Sequence, residues 1–216
     1  AELPDFKTPD YEAPGGGLHY RWPDYPGPQI ELRLQAKLDA VRAFAKVNSI
    51  DDILADPDVA DCAILTTGKA HDDVMEALRF LKIDPESLGI RLYKIGLSYP
   101  LEPTRLAHVL RGVKHVLVVE EKGPVVETQL KEMLFNDHER PQIWGKKDPE
   151  AASFIEAVLE LRPSRVVKPL MTFLETALPA VTFDYKPPCL NAMQASDADG
   201  VRRMPYFCSG CPHNTS

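Results

Sequence analysis

Cys62-Ala63-Ile64-Leu65-Thr66-Thr67-Gly68 is a short apolar run that closes on a glycine. Its length and bulk suit a strand buried on both faces, and the glycine suits a turn out of it. Downstream, Val74, Leu78 and Leu81 recur at helical spacing, and Arg91-Leu92-Tyr93-Lys94-Ile95-Gly96 reads as a second strand. Pro103 suits the first turn of a helix over 103–111, since its missing N–H has no partner there in any case. His115-Val116-Leu117-Val118-Val119 is the clearest strand, expected to be the most buried. Pro124 opens a further helix with Val126, Leu130 and Met133 on one side, and Gln142-Ile143-Trp144-Gly145 suits a short edge strand. Asp148-Pro149-Glu150 carries helix-start chemistry: an Asp cap, a Pro at the first position and a Glu at the positive end of the dipole. That signal predicts a helix running to about Leu161. Upstream, Ile30, Leu34, Leu38, Val41 and Ala45 mark one face of a helix. Strands alternating with helices imply βαβ units and an open, mostly parallel α/β sheet covered by helices on both faces. The periodic elements span 30–161.

The flanks differ. Pro23, Pro26 and Pro28 make residues 1–28 an extended lead-in, and 176–203, with Lys186-Pro187-Pro188 and no apolar period, reads as a second linker. The expected organisation is therefore 1–28 linker, 29–175 α/β domain, 176–203 linker, and 204–216 the start of something further. The chain has 216 residues, 44% hydrophobic and 26% charged, enough for one self-supporting core. A net charge of −7 with no basic stripe speaks against nucleic acid and anionic membranes as partners. No apolar run approaches the ~20 residues a membrane helix needs. Ala1-Glu2-Leu3-Pro4-Asp5 is no signal peptide and lacks an initiator methionine, so a piece of a longer chain is expected. Cys62 reads as a small core residue, and a core-rich chain of this size has no need of disulfides, which implies a reducing, cytoplasmic setting.

In an open α/β sheet, ligands sit beyond the carboxyl ends of the strands. Three loops take that position: Thr66-Thr67-Gly68-Lys69, Ser98-Tyr99-Pro100 and Glu120-Glu121-Lys122-Gly123. The first lacks the leading glycine and the Ser or Thr of a phosphate loop, which leaves a tight turn or an anion near a helix N-terminus. Glu120 and Glu121, adjacent at the end of a strand, point to opposite faces and do not converge for acid–base work, so a structural or interface role is expected. Glu127 and Lys131 are spaced to pair along a helix. His71, His108, His115 and His138 have neither metal-pair spacing nor a neighbouring nucleophile. The tail, Phe207-Cys208-Ser209-Gly210-Cys211-Pro212-His213, supplies two thiolate ligands where a tetrahedral metal or a cluster needs four. It is expected to hold no metal in this chain alone.

Taken jointly, these blocks resemble a family. Thr66-Thr67-Gly68-Lys69 with Asp72-Asp73-Val74, Leu92-Tyr93-Lys94-Ile95-Gly96-Leu97 running into Pro100-Leu101-Glu102-Pro103, and Val118-Val119-Glu120-Glu121-Lys122 with Glu127-Thr128-Gln129 are similar to consecutive blocks of indolepyruvate ferredoxin oxidoreductases. Gly15-Gly16-Gly17-Leu18-His19 and Arg21-Trp22-Pro23 resemble that family's interdomain linker, and Phe207–His213 the opening of its diphosphate-binding domain. The resemblance implies a five-stranded, transketolase C-terminal-like domain between cofactor domains. The whole enzyme would oxidatively decarboxylate aryl or branched 2-oxoacids with coenzyme A, reducing ferredoxin, with thiamine diphosphate, Mg and 4Fe-4S clusters as cofactors, and would form a homo-oligomer. It implies a site-proximal, cofactor-binding role for Cys208, Cys211 and His213 in the parent enzyme. The Gly-Asp-Gly diphosphate signature, the pyrimidine-domain glutamate and the ferredoxin cysteine run are absent from this chain. A non-catalytic domain is therefore the first reading, inactive and cofactor-free by itself. A flavodoxin-like module for coenzyme A or a nucleotide is the second, and a metal or redox module on Cys208 and Cys211 the third.

Overall fold

The computed structural model describes residues 5–19 and 27–183. Cys189, Cys208, Cys211 and His213 lie outside the described residues. The chain divides into two compact units, Ala1–Phe183 and Asp184–Ser216, and every described element belongs to the first. In order these are α1 (Gln29–Asn48), β1 (Asp52–Ala55), β2 (Cys62–Thr67), α2 (Ala70–Leu81), β3 (Ile90–Ile95), α3 (Pro103–Leu110), β4 (His115–Val119), α4 (Val126–Met133), β5 (Gln142–Trp144) and α5 (Pro163–Ala177). No described helix is long and apolar enough to cross a membrane.

The sheet runs β1-β3-β2-β4-β5. β2 pairs in parallel with β3 and β4, β4 in parallel with β5, and β1 lies antiparallel on β3. Leu65 sits between Tyr93 and Val118, and these side chains share one face with Ala63, Ile95 and Val116. Leu106 and Val109 of α3 and Val126 and Leu130 of α4 cover that face. Strand alternation sends Ile64, Leu92 and Leu117 to the other face, all of them buried. There α2 meets β2 and β4, and α5 packs along α2. Helices thus cover both faces, as the doubly apolar strands require.

Sequence expectation and structure part at five places. β2, not 115–119, holds the centre, so β4 is second in from its edge and its first residue, His115, is only half-buried. β1 adds an antiparallel edge that its four residues, three of them exposed, do not announce. The helix expected over 149–161 does not form. Asp148 uses its carboxylate to close a turn instead, Oδ1 accepting the N–H groups of Glu150 (3.0 Å) and Ala152 (2.9 Å). Ala151 then adopts a left-handed φ of 67°, and the chain folds back through a Lys147–Ser153 antiparallel bridge. This seats Phe154 edge-on against Trp144, centroids 5.0 Å apart, and buries Ile155. A local cap signature serves a turn equally well when tertiary burial favours the reversal. α5 forms after this segment, with Pro163 in its first turn and Pro169 inside it. Finally, α1 is a helix as its spacing predicts, but its stripe is not core. Ala45 is buried and Leu38 half-buried, whereas Ile30, Leu34 and Val41 stay exposed.

Candidate functional site

From β2 the chain crosses to β3 on one side, and from β3 it crosses over to β4 on the other. The crevice between the carboxyl ends of β2 and β4 is thus the switch point at which such folds bind ligands. Here residues 156–161 are tied to both of its walls. After β2, Lys69 donates to the carbonyl of Leu161 (2.6 Å) and pairs with Asp73 (2.9 Å). After β4, Lys122 donates to the carbonyl of Leu159, and Glu121 accepts the N–H of Leu161 (3.3 Å). Lys146, just past β5, donates to the carbonyls of Glu120 and Glu156. Three ammonium groups thus hold three carbonyls of one strap, and Leu159 takes a left-handed φ of 64° within it. Burial pushes the Lys146 ammonium below the usual lysine range, against the pull of Glu120, Glu127 and Glu121.

The carboxylates along the same edge are turned inward. Glu102 caps α3, accepting the N–H groups of Thr104 (2.9 Å) and Arg105 (3.1 Å). Burial opposes its ionisation, but these donors prevail and hold its carboxyl below the ordinary range. Glu120 accepts three N–H groups at the head of α4, from Val125 (2.9 Å), Val126 (2.8 Å) and Glu127 (3.0 Å). Glu127 in turn pairs with Lys131, as its spacing predicts, and accepts the N–H of Lys146. Gly145 allows this, because a Cβ there would run into the Glu127 carboxylate. Asp51 accepts from the Tyr93 hydroxyl (2.7 Å) and from the N–H groups of Gly96 (2.8 Å) and Leu97 (3.1 Å), closing the loop after β3. Glu120 and Glu121 therefore do separate jobs, as expected of adjacent strand residues.

This edge does not fit a magnesium-bound diphosphate. The N-terminal donors of α3 and α4, which an anion would need, are taken by Glu102 and Glu120, whose charges would repel it. Lys69 is spent on Asp73 and the Leu161 carbonyl. Among the described residues no group of three His, Cys, Asp or Glu side chains could hold a metal ion. Cys62 is buried, and burial with the neighbouring Asp61 pushes its thiol up to about 12, inert at neutral pH. Nothing in the sequence pointed to Asp51, to Lys146 or to the strap, whose partners lie up to 92 positions away along the chain.

The histidines are scattered, as their spacing implies. The Nδ1 of His71 lies 3.0 Å from the Thr66 hydroxyl. That hydroxyl also lies 3.2 Å from the Tyr93 carbonyl, to which it donates. His108 meets Asp56 and His138 is exposed. Burial, then the Lys94 charge, holds His71 below the ordinary histidine value of 6.5; burial, then Lys114, does the same for His115. Below 6.5 the unfolded chain takes up protons that the fold refuses. Stability is therefore full above that value and falls as pH drops through the lower folded values. Urea unfolding midpoints should fall accordingly between neutral and mildly acidic buffer, with a shallower fall after His71→Gln and His115→Gln together. Identical slopes for the two proteins would show that these histidines do not carry the effect.

Residues 54–181, more than half of the chain, match the family model described as indolepyruvate oxidoreductase domain. A protein of Pyrococcus horikoshii named indolepyruvate oxidoreductase subunit IorA is 30% identical over 162 residues, 74% of this chain and 22% of that one. The protein of that name from Methanothermobacter thermautotrophicus is 26% identical over 189 residues, 85% of this chain and 26% of its own length. The chain thus spans about a quarter of the length of the curated relatives it matches. Among solved structures, a 2-oxoglutarate:ferredoxin oxidoreductase from Magnetococcus marinus aligns with a TM-score of 0.46 at 17% identity, covering 77% of this chain and 27% of that one.

Proposed function

The chain belongs to the indolepyruvate oxidoreductase domain family, and from that premise we propose that it is the non-catalytic central domain of a larger, cytoplasmic 2-oxoacid:ferredoxin oxidoreductase. The whole enzyme would convert aryl or branched 2-oxoacids to acyl-CoA and reduce ferredoxin. Thiamine diphosphate, Mg and the 4Fe-4S clusters belong, on this reading, to other parts of that enzyme. Residues 29–175 form the α/β domain, 1–28 and 176–203 link it to its neighbours, and 204–216 begin the diphosphate-binding domain. Cys208, Cys211 and His213 would then stand near the cofactor in the assembled enzyme.

The observation that carries this reading is the closed carboxyl edge. The strap over 156–161 is tied to both walls of the switch-point crevice, Glu102 and Glu120 occupy the N-termini of α3 and α4, and α2, which has no side-chain cap, carries Asp72 and Asp73 in its first turn, charges that oppose an anion there. A catalytic or nucleotide-binding module keeps such donors free for its ligand. Calorimetric titration of the chain with thiamine diphosphate and Mg²⁺ should therefore release no binding heat, and a 2-oxoacid with coenzyme A and ferredoxin should not be turned over. Micromolar affinity for the cofactor would overturn the scaffold reading. The same titration with coenzyme A or a mononucleotide tests the ligand-binding reading, which requires the strap to move.

A further inference from the structure

We propose that the strap is a latch: residues 156–161 open as one unit over the crevice between β2 and β4, hinged at Ile155 and Leu161, while the sheet stays folded. Ile155 and Leu161 are buried, at 3% and 4% exposure. The five residues between them are all exposed. Among the described residues, no backbone group of 156–160 bonds to another backbone group. Side chains reaching in from three loops hold the segment instead. Lys146 donates to the Glu156 carbonyl (3.2 Å), Lys122 to the Leu159 carbonyl and Lys69 to the Leu161 carbonyl (2.6 Å). The Arg165–Glu156 pair adds a tie from α5.

Such a segment opens at low cost. Its apolar side chains, Val158 and Leu159, already face solvent, so lifting it takes nothing out of the core, and regions of this kind open well before the whole domain does. The Lys69 and Lys122 side chains are 47% and 61% exposed, so water replaces their carbonyl partners readily. Leu159 also gives up its left-handed φ of 64° on opening, a conformation that a leucine rarely adopts. Five residues between two fixed ends are too few to free one carbonyl while the others keep their place, so the ties are lost together. Lys146 marks the event. It is buried, and its ammonium bridges the Glu120 carbonyl on the wall and the Glu156 carbonyl on the strap. With the strap lifted, the ammonium groups of Lys69, Lys122 and Lys146 face an open crevice. The strap, not the sheet, therefore sets access to it.

The test is trace acetylation of the full 216-residue chain with acetic anhydride, read by peptide mass, with alkylation of the Cys62 thiol by iodoacetamide followed in parallel. Lys146 reports opening. Lys114, 72% exposed at the opposite end of the sheet, reports the strength of the reagent. Cys62, wholly buried in β2, reports unfolding. Lys122→Met and Lys69→Met each remove a tie that does not involve Lys146. Each should speed acetylation of Lys146 about tenfold, the effect of losing one hydrogen bond to a charged group, with the Lys114 and Cys62 rates unchanged. Lys69→Met also strands the buried Asp73 carboxylate, so where its Cys62 rate rises, Lys122→Met alone decides. A Lys146 rate indifferent to Lys122→Met would mean that the ties act separately, and would overturn the latch. A Cys62 rate rising in step with Lys146 in Lys122→Met would overturn it as well, because the opening would then be unfolding. None of these outcomes depends on whether the chain binds thiamine diphosphate or the parent enzyme oxidises a 2-oxoacid.

Discussion

Replacing Asp51 with alanine should destabilise the domain by about 2–4 kcal/mol, because it removes the shared acceptor of three donors, one of them a buried hydroxyl. The Asp51 carboxylate accepts from the Tyr93 hydroxyl and from the N–H groups of Gly96 and Leu97. Both Asp51 and Tyr93 are buried, so water does not reach the stranded hydroxyl, whereas Gly96 is exposed and Leu97 half-buried, and their N–H groups lose less. Burial, then the Asp51 contact, raises the Tyr93 hydroxyl well above the ordinary tyrosine value of 10.0, keeping it protonated and able to donate. The backbone is committed too: Arg105 donates to the Asp51 carbonyl (2.8 Å), and a Cβ on Gly96 would run into the Ile50 carbonyl. Asp51→Asn should cost less, since its amide oxygen still accepts. Tyr93→Phe in the Asp51→Ala background should recover part of the loss by removing one stranded donor, so the two changes should be non-additive. Urea unfolding of the four proteins measures the coupling. Strict additivity would mean that the hydroxyl finds another partner and that Asp51 is not the keystone of the loop after β3.

Phe173→Ala is the second large effect, expected at about 3–5 kcal/mol. Phe173 is fully buried on α5, in the same row as Leu170 and Leu174. It meets Trp144 of β5 edge-on, centroids 6.0 Å apart at 75°. Truncation removes the transfer energy of the ring and leaves a cavity between α5 and the sheet edge, where close packing allows little collapse. A domain with ordinary stability of roughly 5–15 kcal/mol would lose a large part of it. Leu32→Ala, at a site that is 70% exposed, serves as the matched control with an expected cost near zero. Unfolding monitored by tryptophan fluorescence reports both the loss and the loosening around Trp144. A cost below about 1 kcal/mol, smaller than a typical core truncation, would show that α5 is an appendage and that the domain ends before Pro163.

The two predictions fall on opposite sides of what the chain displays. β2 and β4 were legible because strands buried on both faces must be largely apolar, and 62–67 and 115–119 are nearly so, while β3 was legible from Leu92, Tyr93 and Ile95 in spite of Arg91 and Lys94. α2, α3 and α4 were legible because their apolar residues recur at helical spacing and proline marks the starts of α3 and α4. The Glu127–Lys131 pair follows from helix spacing alone. All of these are local constraints, satisfied by neighbours within a turn or a strand. They determine the α/β class and the mostly parallel sense of the sheet.

Only the tertiary structure decided the rest. α5 was hidden because Pro163 and Pro169 read as breakers, yet helical packing of Val166, Leu170, Phe173 and Leu174 against the sheet outweighs one missing N–H. The Asp148-Pro149-Glu150 signature is compatible with a helix or a turn, and burial of Phe154 against Trp144 selects the turn. β1 exists because β3 offers it an edge, not because Asp52-Ile53-Leu54-Ala55 insists on extension. The helical period of α1 says nothing about whether a partner covers its stripe. The closed carboxyl edge is the furthest from sequence, because three lysines and one strap, separated along the chain by up to 92 positions, meet only after the sheet has brought the ends of β2, β4 and β5 together. Periodicity encodes which face of an element is apolar; it carries no information about which distant carbonyl a lysine will find.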